Sequence, residues 1–192
     1  MKRTILLLAF ILSIITLSCD LENNEKQFTL LTNNQTGIDF NNQLNEDNSF
    51  NYFTYPYIYM GGGVSVGDIN NDNLDDIYFT GNMTSNKLYL NKGNLNFEDI
   101  TVTSGTSGDN RWYTGSTMVD INNDGYLDFY LGTGDPGFGS LMPNLMYLNK
   151  EGKKFDDITM ASRLGHLQKG HAVAFADLDN DGDLDLFEQL GG

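Results

Sequence analysis

The stretch D177-L-D-N-D-G-D-L-D185 places aspartates at positions 1, 3, 5 and 9 of a nine-residue loop. Calcium is a hard cation that takes about six to eight oxygen ligands, and alternate carboxylates on a turning backbone can direct several oxygens at one centre. Gly182, at position 6, suits a sharp turn because glycine readily adopts a positive φ. The stretch therefore predicts a calcium-binding loop.

The same pattern occurs twice earlier in the chain, as D68-I-N-N-D-N-L-D-D76 and D120-I-N-N-D-G-Y-L-D128. We call these stretches loop 1 and loop 2, and residues 177–185 loop 3. Loop 1 has Asn73 in place of the glycine at position 6, and asparagine tolerates the left-handed conformation. Three such loops in one chain predict a repeat architecture.

Alternating side chains on both sides of the loops predict β-strands. Mostly apolar residues stand at every second position, which is typical of a half-buried strand. Each loop is therefore expected to join the first two strands of a repeat. These residues are Val64, Val66, Ile77 and Phe79 around loop 1, Ser116, Met118, Phe129 and Leu131 around loop 2, and Val173 and Phe175 before loop 3.

Two further strands are expected after loops 1 and 2. Nine of the sixteen residues are identical between 86–101 and 144–159, more than a shared β pattern alone would produce. Four short strands per repeat are typical of a β-propeller blade. The third strand is predicted at 86–92 and 144–150, and the fourth at 97–101 and 155–159.

Loop 3 also satisfies the EF-hand pattern, with Glu188 at position 12. An EF-hand needs a helix on both sides of its loop. The alternation of residues 171–176 favours a strand instead, and position 12 of the sister loops is Phe79 or Leu131, neither of which can ligate a metal. A loop between strands is favoured, with the EF-hand as the alternative.

Taken in order, these motifs resemble the FG-GAP or VCBS repeat proteins. The resemblance rests on G-D-I-N-x-D-x-x-x-D, on the Y-L-N-K and F-x-D-I-T signatures and on residues 170–192. It is closest to the cartilage-acidic-protein-like, ASPIC/UnbV-associated group of exported bacterial proteins. It implies an all-β fold, a partial β-propeller of about two and a half four-stranded blades with calcium-binding loops, as a fragment of a seven-bladed propeller. Blade 1 is then expected at 61–112, blade 2 at 113–169 and a partial blade 3 at 170–192.

The resemblance also implies a ligand set for about three structural Ca²⁺ ions. Positions 1, 3, 5 and 9 ligate through their side chains, and position 7 ligates through its carbonyl oxygen. Because loop 3 has four ligand carboxylates and loops 1 and 2 have three, loop 3 is expected to bind calcium most tightly. The implied ligands are Asp68, Asn70, Asp72, Leu74 and Asp76, then Asp120, Asn122, Asp124, Tyr126 and Asp128, then Asp177, Asp179, Asp181, Asp183 and Asp185.

The N-terminus predicts export. A basic start at residues 1–3 and an apolar run at 5–17 are typical of a secretory signal, and the run is too short to span a bilayer. Cys19, the single cysteine, follows a small residue, as in a bacterial lipobox. We therefore expect a lipoprotein-type signal peptide at 1–19 and lipidation of Cys19, with the chain anchored to the bacterial outer membrane or cell surface. Ordinary cleavage and soluble secretion are the alternative.

Two segments separate this signal from the repeats. Residues 20–37 are polar and lack periodicity, so they are predicted to be a flexible tether. Residues 38–60 form an aromatic-rich lead-in, whose rings are expected to pack under the first blade. The alternative is an aromatic platform that faces a ligand.

The charge balance and the remaining motifs favour binding over catalysis. The net charge is −15, with 11 basic and 26 acidic residues, which disfavours a nucleic-acid partner. His166 and His171 have no nucleophile placed beside them by a motif. Arg111 and Trp112 are expected to pack at a blade junction rather than to bind a sugar. The Gly-rich insertion at 132–139 is the best candidate for ligand contact, with a solvated Gly-rich loop as the alternative.

The sequence thus predicts an exported, non-enzymatic calcium-binding segment for cell-surface adhesion, ligand binding or assembly. Its expected partners are calcium and a surface glycan or protein, and it would meet the membrane only through a lipid anchor. The alternative is the scaffold part of a calcium-dependent polysaccharide-active enzyme, such as a lyase, with catalytic residues beyond Gly192 or on the insertion. Because blade 3 lacks its last two strands, we expect an N-terminal fragment or a truncated gene product.

Overall fold

The structure is a computed structural model that describes residues 28–109, 111–134, 142–164 and 170–190, without the side chains of 170–172, 189 and 190. The predicted signal peptide with Cys19, most of the insertion, His166 and the side chain of His171 lie outside the described residues. In the described part of the chain, no helix is long and apolar enough to cross a membrane.

Three antiparallel sheets make up the described chain. Two are four-stranded, and each follows the order of its strands in the sequence; the third is a hairpin. The first sheet contains β1 (Val64–Gly67), β2 (Asp76–Phe79), β3 (Lys87–Asn91) and β4 (Phe97–Asp99); the second contains β5 (Trp112–Val119), β6 (Asp128–Gly134), β7 (Leu145–Lys150) and β8 (Lys154–Asp157); the third contains β9 (Gly170–Ala176) and β10 (Asp185–Leu190).

This architecture is a partial β-propeller, as expected, and we call the three sheets blades 1, 2 and 3. Only two helical turns accompany the strands of the described residues, α1 (Asn33–Thr36) and α2 (Thr101–Ser104). The predictions that the fourth strand extends to Thr101 in blade 1 and to Thr159 in blade 2 were wrong. Asp99 accepts hydrogen bonds from both the backbone N–H and the hydroxyl of Thr101, and the chain turns into α2 there.

Aromatic side chains fill the spaces between neighbouring blades. Tyr78 of β2 stacks on Phe129 of β6 at a centroid distance of 4.5 Å, and Phe129 in turn stacks on Phe155 of β8 at 4.6 Å. On the other face of β6, Tyr130 meets Phe175 of β9 edge to face at 5.7 Å. Because successive residues of a strand face opposite sides, β6 contacts both neighbouring blades.

The alternation predicts that the two valines of β1 face the interior. In the structure they do not. Val64 and Val66 are 57% and 56% exposed, whereas Ser65 between them is 9% exposed. The small residues on the same side of β1 as Ser65 lie against blade 2. A Cβ added to Gly63, for example, would lie 2.5 Å from the backbone nitrogen of Ser116. In blade 2 the equivalent apolar residue, Met118, packs against the core shared with blade 1. No described blade lies on the corresponding side of β1, so its valines stay exposed.

The lead-in packs partly on blade 1 and partly on Trp112 of blade 2. Phe40 stacks on Phe79 with ring centroids 4.9 Å apart. Phe50 and Ile58 are buried in a small cluster with Trp112. Four other rings of the segment are more than half exposed: Tyr52, Phe53, Tyr57 and Tyr59.

The last part of the predicted tether is structured. Thr32 precedes α1, and its backbone N–H donates to Gln35 Oε1 at 2.9 Å. Gly37 ends the turn with φ 78°, and a Cβ there would lie 2.3 Å from the carbonyl oxygen of Phe97 in β4. This close contact places Gly37 against blade 1, and residues 32–37 form an ordered turn rather than a free tether.

Candidate metal centres

Each of the three loops lies between the first two strands of its blade. The register pairs Val66 with Ile77 across loop 1, Met118 with Phe129 across loop 2, and Phe175 with Leu186 across loop 3. Strands therefore flank loop 3 on both sides, and the EF-hand alternative was wrong. The carboxylate of Glu188 accepts hydrogen bonds from Tyr130 and Asn144 of blade 2.

The aspartate at position 1 organises each loop. In loop 3, Asp177 Oδ1 accepts the N–H of Asp181 and Asp177 Oδ2 accepts the N–H of Gly182, both at 3.1 Å. Asp68 and Asp120 accept the equivalent two N–H groups in loops 1 and 2. These bonds wrap the backbone around one carboxylate, and Oδ1 of Asp68 also accepts the N–H of Asn70 at 3.3 Å.

Positions 3 and 5 also face into the loop. The side-chain oxygen at position 3 accepts the N–H of position 5, and Oδ1 at position 5 accepts the N–H of position 7. The residues involved are Asn70, Asp72 and Leu74 in loop 1, Asn122, Asp124 and Tyr126 in loop 2, and Asp179, Asp181 and Asp183 in loop 3.

The backbone is left-handed at positions 4 and 6 of every loop. The positive φ predicted at position 6 is confirmed. Asn73 has φ 65°, and Gly125 and Gly182 have φ 88° and 96°. Sequence reasoning missed position 4, although all three loops carry asparagine there. Asparagine reaches this conformation more readily than other residues with a side chain. The three residues are Asn71, Asn123 and Asn180, with φ 61°, 56° and 59°.

The aspartate at position 9 has a second role in loops 1 and 2. Asp128 is fully buried; its Oδ2 accepts the N–H of Ile121 at 3.0 Å and its Oδ1 accepts the N–H of Asn149 in β7 at 2.7 Å. Asp76 makes the equivalent bonds to Ile69 and Asn91. Burial raises the pKa of both carboxyls, and the other acids of each loop raise the pKa further, while these N–H donors oppose the rise.

Loop 3 differs from its sisters in charge. The carboxylates of Asp177, Asp179 and Asp185 bring one oxygen each to within 4.8 Å of one another. In loops 1 and 2 the amide of Asn70 or Asn122 donates to the position-5 carboxylate, at 3.0 and 2.9 Å. Asp179, at position 3 of loop 3, has a carboxylate instead of an amide and cannot donate this hydrogen bond. Asp185 is half-buried and accepts the N–H of Leu178 at 2.9 Å.

Arg111 and Trp112 have the predicted packing role, but the ring partners of Trp112 lie in the lead-in rather than in a neighbouring blade. Trp112 begins β5, is 4% exposed and contacts Phe50 and Tyr55 edge to face. Arg111 pairs with Asp109 at 2.8 Å and donates to the carbonyl of Pro143. A buried indole offers no open face for a sugar to stack on.

Comparison with known proteins identifies the repeats. The sequence profile described as FG-GAP-like repeat matches residues 68–131 and 134–188, which include all three loops. The chain belongs to the FG-GAP-like repeat family. The resemblance drawn from the loop and strand motifs is thereby confirmed.

Curated relatives point to the same group within this family. Cartilage acidic protein 1 of Mus musculus is 31% identical over 130 residues, which cover 66% of this chain and 19% of the relative. The Homo sapiens protein is 31% identical over 133 residues, covering 67% and 19%, and the Xenopus tropicalis protein is 32% identical over 133 residues, covering 67% and 20%. This FG-GAP-like chain therefore matches about a fifth of the length of these relatives.

Proposed function

We propose that this FG-GAP-like repeat chain binds calcium at loops 1, 2 and 3, without catalysing a reaction. The observation that carries the proposal is the cluster of three carboxylate oxygens of loop 3 within 4.8 Å of one another. Like charges at such separations repel, and a divalent cation offsets that repulsion. Carboxylate, amide and carbonyl oxygens are the donors that calcium prefers.

Calcium would be held by the side chains at positions 1, 3, 5 and 9 and by the carbonyl at position 7. Its role would be structural, because the loops join the first two strands of each blade. The hydrogen bonds to Asp177 and its equivalents already shape the loop backbone. The ion would neutralise the carboxylates that this shape brings together.

Thermal unfolding of the full chain tests calcium binding. Saturating calcium at about a hundred times the dissociation constant stabilises by about 2.7 kcal/mol per site, so the melting temperature should rise by several degrees over that in chelator. The matched control is the triple variant Asp72→Asn, Asp124→Asn and Asp181→Asn. It removes the exposed position-5 carboxylate from each loop. Equal melting temperatures with and without calcium in the unsubstituted chain would contradict the proposal.

We further propose that the chain is exported and anchored through a lipid on Cys19. The basic start, the short apolar run and the single cysteine support this proposal, and calcium is abundant outside cells. Labelling with a fatty acid and fractionation of expressing bacteria test it. The label should appear in the membrane fraction and disappear in Cys19→Ala; an unlabelled chain released to the medium would favour soluble secretion.

At the cell surface the proposed role is adhesion, ligand binding or assembly, with a glycan or protein as partner. A glycan array and a polysaccharide turnover assay separate this role from that of an enzyme scaffold. Binding that requires calcium and leaves the glycan intact supports the proposal. Depolymerisation of a polysaccharide by the purified chain would overturn its non-enzymatic part.

A further inference from the structure

A buried asparagine connects loop 1 with blade 2. The side-chain amide of Asn149, in β7, donates to the carbonyl of Ile69 in loop 1 and to the carbonyl of Leu127 in loop 2, both at 2.9 Å. Asn149 is 1% exposed and Ile69 is 0% exposed. A buried carbonyl that loses its donor pays a desolvation penalty, so both loops depend on the position of one amide.

The connection extends to the proposed ligands at both ends. The N–H of Ile69 donates to Asp76 Oδ2 at 3.0 Å, and the backbone N–H of Asn149 donates to Asp128 Oδ1 at 2.7 Å. Asp76 and Asp128 are the position-9 carboxylates of loops 1 and 2. A continuous path of peptide groups and hydrogen bonds therefore joins one proposed site to the other.

A second contact runs between the loops themselves. The amide of Asn71, at position 4 of loop 1, donates to the carbonyl of Gly125 in loop 2 at 3.0 Å. The N–H of Gly125 donates to Asp120 Oδ2 at 2.8 Å. Gly152 adds close packing, because a Cβ there would lie 2.5 Å from the Cα of Asn70.

Blade 1 supplies a natural comparison for this network. Asn91 stands where Asn149 stands in blade 2. Its side-chain amide donates to the backbone carbonyl of Asp75 at 2.8 Å, and its backbone N–H donates to Asp76 Oδ1 at 2.7 Å. Both contacts stay within blade 1. Among the described residues, no hydrogen bond connects loop 2 to loop 3, so the bridge is a property of the first two loops.

We propose that loops 1 and 2 bind calcium cooperatively, with Asn149 and Asn71 as the coupling residues. This inference rests on the proposed calcium binding. An ion at either loop would fix peptide groups that the other loop must also order, so the second ion would pay less conformational entropy. Such coupling is reciprocal and typically changes affinity by about 5- to 150-fold.

Tyr126 allows the affinity of loop 2 to be measured by itself. A tyrosine beside a bound terbium ion sensitises its luminescence, and position 7 is tyrosine in loop 2 but Leu74 in loop 1 and Asp183 in loop 3. Terbium titration of the full chain, with calcium as competitor, then reports loop 2. Tyr126→Leu, which copies loop 1, should remove the signal.

The decisive variant is Asp72→Asn, which weakens loop 1 and leaves loop 2 intact. We expect it to lower the affinity of loop 2 for terbium and calcium by about fivefold or more. Asp75→Asn is the matched control, because it removes the same charge from loop 1 at an exposed position that is not a proposed ligand. Equal effects of the two variants would mean simple charge attraction and would overturn the coupling.

Variants of the bridge complete the test. Asn71→Gly keeps the left-handed backbone and removes one contact, and Asn149→Ala removes the buried one, with Asn91→Ala as its matched control. In the double variant Asn71→Gly with Asn149→Ala, checked for cooperative unfolding, Asp72→Asn should no longer affect loop 2, whereas its effect should persist in Asn91→Ala. If the unsubstituted chain gives no calcium-competed luminescence, calcium binding at loop 2 fails. If it does but Asp72→Asn changes nothing, only the coupling fails.

Discussion

Loop 3 gathers three acidic side chains around a common point, whereas loops 1 and 2 satisfy more of their charge with hydrogen bonds from the protein. The amides of Asn70 and Asn122 donate to the position-5 carboxylates, and Asp76 and Asp128 are buried under two N–H donors each. The same nine-residue pattern therefore produces two kinds of site. Loops 1 and 2 are built into the blades, and we propose that loop 3 depends more on an added cation.

The largest expected effect separates the two kinds of position-9 aspartate. Asp128→Ala leaves the buried N–H of Asn149 and the partly buried N–H of Ile121 unpaired, which should lower the free energy of unfolding by about 2–5 kcal/mol in chelator. Asp185→Ala loses one described hydrogen bond at a half-buried site and should cost clearly less. Urea unfolding measures both values. Equal losses would remove the distinction between built-in and cation-dependent loops.

Exchanging the residue at position 3 sharpens the comparison of charge. Asp179→Asn gives loop 3 the amide of its sisters and should weaken its calcium affinity by about tenfold, or 1.4 kcal/mol. Asn122→Asp makes the reverse change and should strengthen loop 2, as measured by terbium luminescence with calcium competition. If both substitutions shift affinity in the same direction, charge at position 3 does not explain the difference between the loops.

A smaller effect should appear in the pH dependence of the calcium-free chain. Burial raises the pKa of Asp128 above its ordinary value of 3.8, so its contribution to stability is greatest below that value and is lost as the pH rises through the raised pKa. The stability difference between the unsubstituted chain and Asp128→Ala should therefore grow as the pH falls toward 3.8. Urea unfolding at several pH values measures it; a difference that grows as the pH rises would contradict the burial argument.

Most of the blade architecture could be predicted because its signals are local. Alternating residues around Asp68 and Asp120 marked the hairpins, and the repeated third strands marked the blades. The orientation of Val64 and Val66 could not be predicted, because it depends on which side of β1 has a neighbouring blade. The contact of Asn149 with Ile69 spans 80 residues, and Asn91 has the same local sequence without such a contact.

The candidate sites were predictable in composition but not in electrostatics. Spacing alone placed the carboxylates of each loop together, and loop 3 does gather Asp177, Asp179 and Asp185. The burial of Asp76 and Asp128 depends on β3 and β7, which follow later in the chain. Position 4 was identifiable from its asparagine in all three loops, and its importance becomes clear only with the left-handed backbone.

Titration calorimetry of the full chain with calcium tests the central claim most directly. Loop 3 should provide the tightest binding step, so Asp181→Ala should remove that step, whereas Asp72→Ala should leave it in place and weaken later steps. Both aspartates are exposed and occupy position 5, which makes them a matched pair. The reverse order, or a chain that takes up no calcium, would contradict the account of loop 3 as the most cation-dependent of the three loops.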